Sequence, residues 1–137
     1  MSETKITCNN LAHTYPNGVE AVKGVNVTIS QGEIISVVGQ NGSGKTTLVK
    51  HFNGLLKPTG GNVLVGELDS LESSVGIMAQ QVGYVFQNPN HQIFAPSVKH
   101  ELSFGLRNIG LEEEEVETRV ASIAEAFALT EYLDLNP

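Results

Sequence analysis

The sequence predicts an α/β fold built around a phosphate-binding loop, and three observations carry that reading. Ile34, Ile35, Val37 and Val38 form an apolar run broken only by Ser36, as in a strand buried on both faces of a parallel sheet. The string Gly39-Gln40-Asn41-Gly42-Ser43-Gly44-Lys45-Thr46 follows at once. Beyond it Leu48, Val49, Phe52 and Leu55 recur at helical spacing. Strand, glycine loop and helix in that order are what a triphosphate cradle requires.

The other elements follow in chain order. Lys5 to Leu11 reads as a strand. Val25, Val27 and Ile29 alternate with Asn26 and Thr28, as in a half-buried second strand. Tyr15-Pro16-Asn17-Gly18 and Gln31-Gly32-Glu33 are turns. Gly54 weakens the last turn of the central helix, and Pro58, Gly60 and Gly61 end it. Asn62 to Val65 and Val82 to Phe86 are expected strands, separated by a polar stretch, Gly66 to Gln81, with poor patterning. Asn88 to Ser97 reads as an irregular surface loop with two prolines. A helix is expected over Val98 to Asn108, although Gly105 weakens it. A stronger one is expected over Glu112 to Leu129, with Val116, Val120, Ile123 and Phe127 on one face. Glu112 to Glu115 occupy its first turn, where the helix dipole favours negative charge.

The loop fills the pattern G-x-x-x-x-G-K-[ST] with Gly39, Gly44, Lys45 and Thr46. Glycines at 39, 42 and 44 let the backbone come close to phosphates, and successive amides then form an anion nest at a helix start. Lys45 puts one ammonium on the β- and γ-phosphate oxygens. The Thr46 hydroxyl is a hard oxygen ligand for magnesium. Thr47 is placed to hydrogen-bond the α-phosphate. A dinucleotide site is disfavoured, because Gly42-Ser43-Gly44-Lys45-Thr46-Thr47 lacks the third glycine of G-x-G-x-x-G.

Composition narrows the rest. The 137 residues have room for one modest domain or part of a larger one. A net charge of −7, from 15 acidic against 8 basic residues, disfavours a nucleic-acid partner. Cys8 is the only cysteine, so no internal disulfide can form, and it reads as a small buried hydrophobe in a strand. No apolar run approaches a membrane span, and Met1 to Lys5 lack the form of a secretory signal. The expected location is cytoplasmic, with docking on a membrane protein left open.

The longer string Val38 to Leu48 resembles the loop of ABC transporter ATP-binding subunits, and Val82-Gly83-Tyr84-Val85-Phe86-Gln87-Asn88-Pro89 resembles their glutamine loop. Asn88 to Phe94, Phe104-Gly105, Asn108 and Gly110-Leu111 resemble the energy-coupling-factor and cobalt or nickel importer branch. The resemblance covers the N-terminal part of such a subunit, from about Lys5 to Pro137. It implies a P-loop NTPase fold of the ABC ATPase type. Its parts would be an antiparallel β portion over residues 1–33, a phosphate-loop core over 34–96, and the start of a helical subdomain over 97–137. It implies ATP and Mg2+ as ligands. The expected nucleotide contacts are Tyr15, whose ring would stack on adenine, and Gly39, Asn41, Gly42, Ser43, Gly44, Lys45, Thr46 and Thr47. Gln87 would help hold magnesium and the attacking water. Gln92, His91 and Phe94 fall on the surface expected to meet the membrane partner. For His13, His51, His91 and His100 themselves, a solvated surface histidine is the default expectation. The implied partners are integral membrane transporter subunits and a second ATP-binding subunit, with the chain peripheral on the cytoplasmic face of the membrane.

Departures from the family pattern shape the expected activity. The sequence holds no serine-glycine-glycine-glutamine signature, no apolar strand ending in Asp-Glu and no switch histidine after one. Its only aspartates are Asp69 and Asp134, and neither precedes Glu. Gln80 or Gln81 stands where relatives often carry a basic residue. The expectation is an intact subunit that powers import of a vitamin or metal ion, and a 137-residue stretch that binds nucleotide weakly, barely hydrolyses it and is marginally stable. Two other classes stay open: an ABC-type ATPase outside transport, and a non-catalytic nucleotide-binding remnant.

Overall fold

The computed structural model describes residues 5–88, 90 and 92–137. These form two compact units, the first ending at Tyr84 and the second running from Val85 to Pro137.

The first unit is a four-stranded antiparallel sheet with one helix packed on it. Strands β1 (Ile6–Thr14), β2 (Glu20–Ile29), β3 (Gly60–Val65) and β4 (Leu68–Asp69) stand in the order β2-β1-β3-β4. Helix α1 (Lys45–Phe52) contacts β2 and β3, and a short helix, α2 (Val75–Ala79), follows the sheet. The predicted turn at Tyr15 to Gly18 joins β1 and β2, closed by Tyr15 N–H to Val19 O at 2.9 Å. Ile6 pairs with both Ile29 and Val65, and Cys8 with both Val27 and Val63, so β1 is central.

A bulge sets which side chains reach the core. The register shifts between Cys8 and Leu11, and Asn10 takes φ +46°. One extra residue turns Leu11 to the same side as Cys8 despite their odd spacing. The bulge presses on β3. A Cβ on Gly61 would lie 2.2 Å from Asn10 O, so only glycine fits there. The resulting core holds Cys8, Leu11, Val22, Phe52 and Val63, with Leu48 and Val49 packed against it.

Helix α1 is shorter than its spacing predicted. It stops at Phe52, with Asn53 as cap and Gly54 at φ +73°, the left-handed residue that ends a helix. Leu55 is therefore outside the helix and exposed, not part of its apolar stripe. The expected strand Ile34 to Val38 joins no sheet among the described residues, and Ile34 and Val38 are 98% and 88% exposed. Val82 to Phe86 likewise pairs with no strand. An apolar run makes a strand only when neighbouring strands take up its backbone groups. Conversely, β4 and α2 lie in the stretch that showed no pattern. Two and five residues are too few for periodicity to register.

The second unit pairs helix α3 (Val98–Asn108) with α4 (Glu113–Ala126), followed by a 3-10 turn at Thr130–Tyr132. Ser97 caps α3 by accepting from His100 N–H. Lys99 N–H donates to Leu133 O at 2.8 Å and Val98 N–H to Leu135 O at 2.9 Å, which ties the last residues to the start of α3. Arg107 pairs with Glu113, its Nε donating to Oε2 at 3.0 Å, and so joins the end of α3 to the start of α4. Val116, Val120 and Ala124 are buried on α4, whereas Ile123 and Phe127 are exposed. The buried stripe thus runs i, i+4, i+8, one residue off the predicted face at its C-terminal end.

Candidate functional site

The loop Gly39 to Gly44 leads into α1, and its shape follows from one glycine. Gly44 caps the helix at φ +90°, and a Cβ there would stand 2.2 Å from Ala21 O of β2. Only a residue without a side chain lets the loop lie this close to the sheet. Ser43 N–H donates to Gln40 O at 3.2 Å, while the first amide donating within the helix is Leu48 N–H, to Gly44 O at 2.8 Å. The amides of Gly44, Lys45, Thr46 and Thr47 come before that bond, so they have no acceptor within the helix. Four N–H groups at the positive end of a helix are a built anion site.

Lys45 lies over this cradle. Its Nζ donates to Gly39 O at 2.8 Å and to Gln40 O at 2.7 Å, both carbonyls of the loop itself. The ammonium is thereby held at the loop mouth by acceptors weaker than phosphate oxygens. Thr46 is exposed, so its hydroxyl is reachable by a cation. Thr47 is buried, and its Oγ1 lies 2.9 Å from the Tyr15 hydroxyl. A groove of about 480 Å3 runs from Gly42–Lys45 along β2 at Glu20, Val22 and Val25.

Two histidines stand behind Tyr15 and Thr47. His13 and His51 were expected in solvent, but they are 7% and 0% exposed. His51 Nδ1 donates to Thr47 O at 2.7 Å, and His51 Nε2 lies 3.1 Å from His13 Nδ1. The signal was present in the spacing: His13 follows Leu11 by two on a strand, and His51 follows Thr47 by four on a helix. Burial lowers the pKa of His51, the hydrogen bond to Thr47 O opposing it in part. His100 is exposed, as expected, and bonds Ser97 Oγ at 2.8 Å.

The sequence profile described as "ABC transporter" matches residues 22–136, most of the chain and all of this loop. The chain belongs to the ABC transporter family. Among curated members, it is 45% identical over 130 residues to a putative ABC transporter ATP-binding protein of Methanothermobacter marburgensis, covering 93% of this chain and 47% of that protein. It is 44% identical over 136 residues to the energy-coupling factor transporter ATP-binding protein EcfA of Methanosphaera stadtmanae, covering 98% and 49%. The chain thus spans about half the length of these relatives. Among solved structures, cbiO1 of Clostridium perfringens, part of the ABC transporter complex cbiONQ, superposes with TM-score 0.79 at 34% identity, covering 96% of this chain and 53% of that one. A dimeric ATP-binding cassette in a post-hydrolysis state with ADP and Pi superposes with TM-score 0.80 at 26% identity, covering 96% and 61%. These are ABC ATPase domains, so the fold is the P-loop NTPase type, with the antiparallel sheet and helices described above as part of it.

In this ABC family chain, the first unit holds Tyr15, Gly39, Asn41, Gly42, Ser43, Gly44, Lys45, Thr46 and Thr47 on the turn after β1, the loop and α1. Gln87, exposed, belongs to the second unit, and His91 lies outside the described residues. The remaining residues of the expected partner surface fall on a groove of about 730 Å3 lined by Phe86, Gln92, Ile93, Phe94, Leu102 and Phe104. Phe94 and Phe104 meet edge to face at 4.7 Å. Glu101 holds the rim by accepting from Phe94 N–H at 3.1 Å and Ala95 N–H at 2.8 Å. Sequence reasoning assigned Glu101 no role, because its acceptor task lies on a loop seven residues upstream.

Proposed function

We propose that the chain binds Mg-ATP and forms part of the ATP-binding subunit that powers import of a small solute, a vitamin or transition-metal ion, through a membrane partner. The observation that carries this reading is the cradle: Gly44 against Ala21 O, the four open amides at the start of α1, and the Lys45 ammonium over them. Lys45 and the amides bind and orient the β- and γ-phosphates, Tyr15 stacks on the base, and Thr46 supplies an oxygen ligand to magnesium. Magnesium, when bound, neutralises phosphate charge as it builds toward the transition state. Gln87 is assigned, from its place in the glutamine-loop segment alone, to magnesium and the attacking water.

The partner side of the proposal rests on the names of relatives, energy-coupling factor ATP-binding proteins and a member of the cbiONQ complex. By that likeness the subunit pairs with a second ATP-binding subunit and sits peripherally on the cytoplasmic face of the membrane, with the Phe86–Phe104 groove turned to the membrane subunits. No helix among the described residues is long and apolar enough to cross a membrane itself. The stretch by itself turns ATP over barely. Asp69 accepts from Leu71 N–H in a turn at β4, Asp134 belongs to the second unit, and neither is followed by a glutamate.

Titration calorimetry of the 137-residue chain with Mg-ATP tests this. Lys45→Ala removes charge-assisted bonds and is expected to weaken binding about 10- to 100-fold. Affinity independent of Lys45 would refute the nucleotide reading. In the same samples, Lys45-dependent turnover above about 1 s−1, the ordinary enzyme range, would refute the low intrinsic activity.

A further inference from the structure

Tyr15 and Thr47 share two buried partners for which binding of ATP alone gives no reason. The Tyr15 hydroxyl lies 2.9 Å from Thr47 Oγ1, Thr47 O is 2.7 Å from His51 Nδ1, and His51 Nε2 is 3.1 Å from His13 Nδ1. The circuit closes where the His13 and Tyr15 rings meet edge to face, centroids 4.7 Å apart at 79°. His13 and Tyr15 belong to β1 and the turn after it, Thr47 and His51 to the first two turns of α1.

The hydrogens in this circuit are dictated by the acceptors. Thr47 O can only accept, so His51 Nδ1 carries a hydrogen. Lys57 O, 3.1 Å from His13 Nδ1, can only accept as well, so His13 Nδ1 carries one too. His51 Nε2 is then left as a lone pair facing the His13 N–H, which it shares with Lys57 O. His51 is then the neutral Nδ1–H tautomer, and each of these contacts is paired. A proton on His51 Nε2 would set N–H against N–H. The charged group on the neighbouring segment, the Lys57 ammonium, is engaged elsewhere, by the carbonyls of Ser70 and Ser73. No carboxylate bonds either ring among the described residues.

We propose that His13 and His51 are positioning residues of the nucleotide site, a tautomer-locked pair that fixes the Tyr15 ring to α1. The base and the phosphates of a nucleoside triphosphate are then gripped as one unit. This rests on the nucleotide reading above and goes beyond it, since neither histidine touches the ligand. The physical gain is preorganisation. A turn-borne tyrosine free to rotate would lose that freedom on stacking, whereas one held from behind has already lost it.

Comparing Mg-ATP with tripolyphosphate, which has the phosphates and no base, isolates this role. His13→Phe and His51→Phe keep ring volume and lose the nitrogens. Each is expected to weaken ATP about tenfold, or 1.4 kcal/mol, and to leave tripolyphosphate affinity within about twofold, in line with the size of aromatic pair energies. Tyr15→Phe cuts only the bond to Thr47, at a half-exposed residue, and is expected to weaken ATP about threefold with tripolyphosphate unchanged. An unchanged ATP-to-tripolyphosphate ratio overturns the proposal, and Tyr15→Phe alone decides it if the histidine variants fail to fold. Long-range 15N–1H spectra of the unmutated chain are expected to show a hydrogen on Nδ1 of both rings and none on His51 Nε2; a hydrogen on His51 Nε2, or a bare Nδ1 on either ring, overturns the lock. Failure of the unmutated chain to bind either ligand sinks the nucleotide reading and this proposal with it. Normal binding with unchanged ratios in the variants sinks this proposal alone.

Discussion

At the scale of single residues, the site depends on positions where one atom decides. Gly44 combines a left-handed backbone with a carbonyl 2.2 Å from where a Cβ would stand. Gly44→Ala is expected to cost about 3 kcal/mol or more, since strain alone costs about 1–3 kcal/mol and the clash adds to it. Urea unfolding would read the loss. His51 gives stability a pH dependence whose sign is set by its lowered pKa. Above the ordinary value of 6.5, folded and unfolded chains both hold it neutral. As pH falls through that value the unfolded chain takes up a proton that the folded chain does not, so stability drops until the lowered folded value is passed. Urea midpoints between pH 7.5 and 5.5 are expected to fall more steeply for the unmutated chain than for His51→Phe. Cys8 supplies a control for such work. Burial raises its thiol to about 11, so it should resist alkylation until β1 opens.

At the scale of elements, what was legible had enough length or a chemical reason. Helix α3 begins at Val98 and ends at Asn108, as its pattern predicted, and Ser97 stands in front of it as a cap. Ser97→Ala is expected to cost about 1 kcal/mol, read as a lower melting temperature of the helical unit by circular dichroism. Helix α4 was legible as a helix, but it ends at Ala126 rather than Leu129, and its buried face differs from the expected one. The buried stripe is Val116, Val120 and Ala124, while the larger Ile123 and Phe127 face solvent. The segments Ile34 to Val38 and Val82 to Phe86 have the composition of buried strands, but among the described residues neither joins a sheet. Element type is thus a local property for helices and a non-local one for strands.

At the scale of the whole molecule, the exposed apolar residues of these segments define how the chain behaves in solution. Ile34, Val38 and Val85 are 98%, 88% and 83% exposed. Exposed apolar side chains of this size invite association with another chain. Sedimentation velocity is expected to show concentration-dependent self-association, reduced in Ile34→Lys. That variant should keep its unfolding free energy within about 0.5 kcal/mol, because Ile34 buries almost nothing. Equal association in both chains would assign the stickiness to another surface.

The sequence by itself determined the phosphate loop, its glycines, Lys45 and Thr46, because that chemistry is carried by contiguous residues whose types are dictated by backbone approach and charge. It also placed Tyr15 at the turn and showed the family through the strings around Gly39 and Gln87. Only the tertiary structure decided that His13 and His51 are buried together behind that loop, that Thr47 faces Tyr15, and that Ile34 to Val38 is exposed. Each of these turns on contacts between residues distant in the chain, where burial and hydrogen-bond partners come from the packing of β1 against α1 or from its absence.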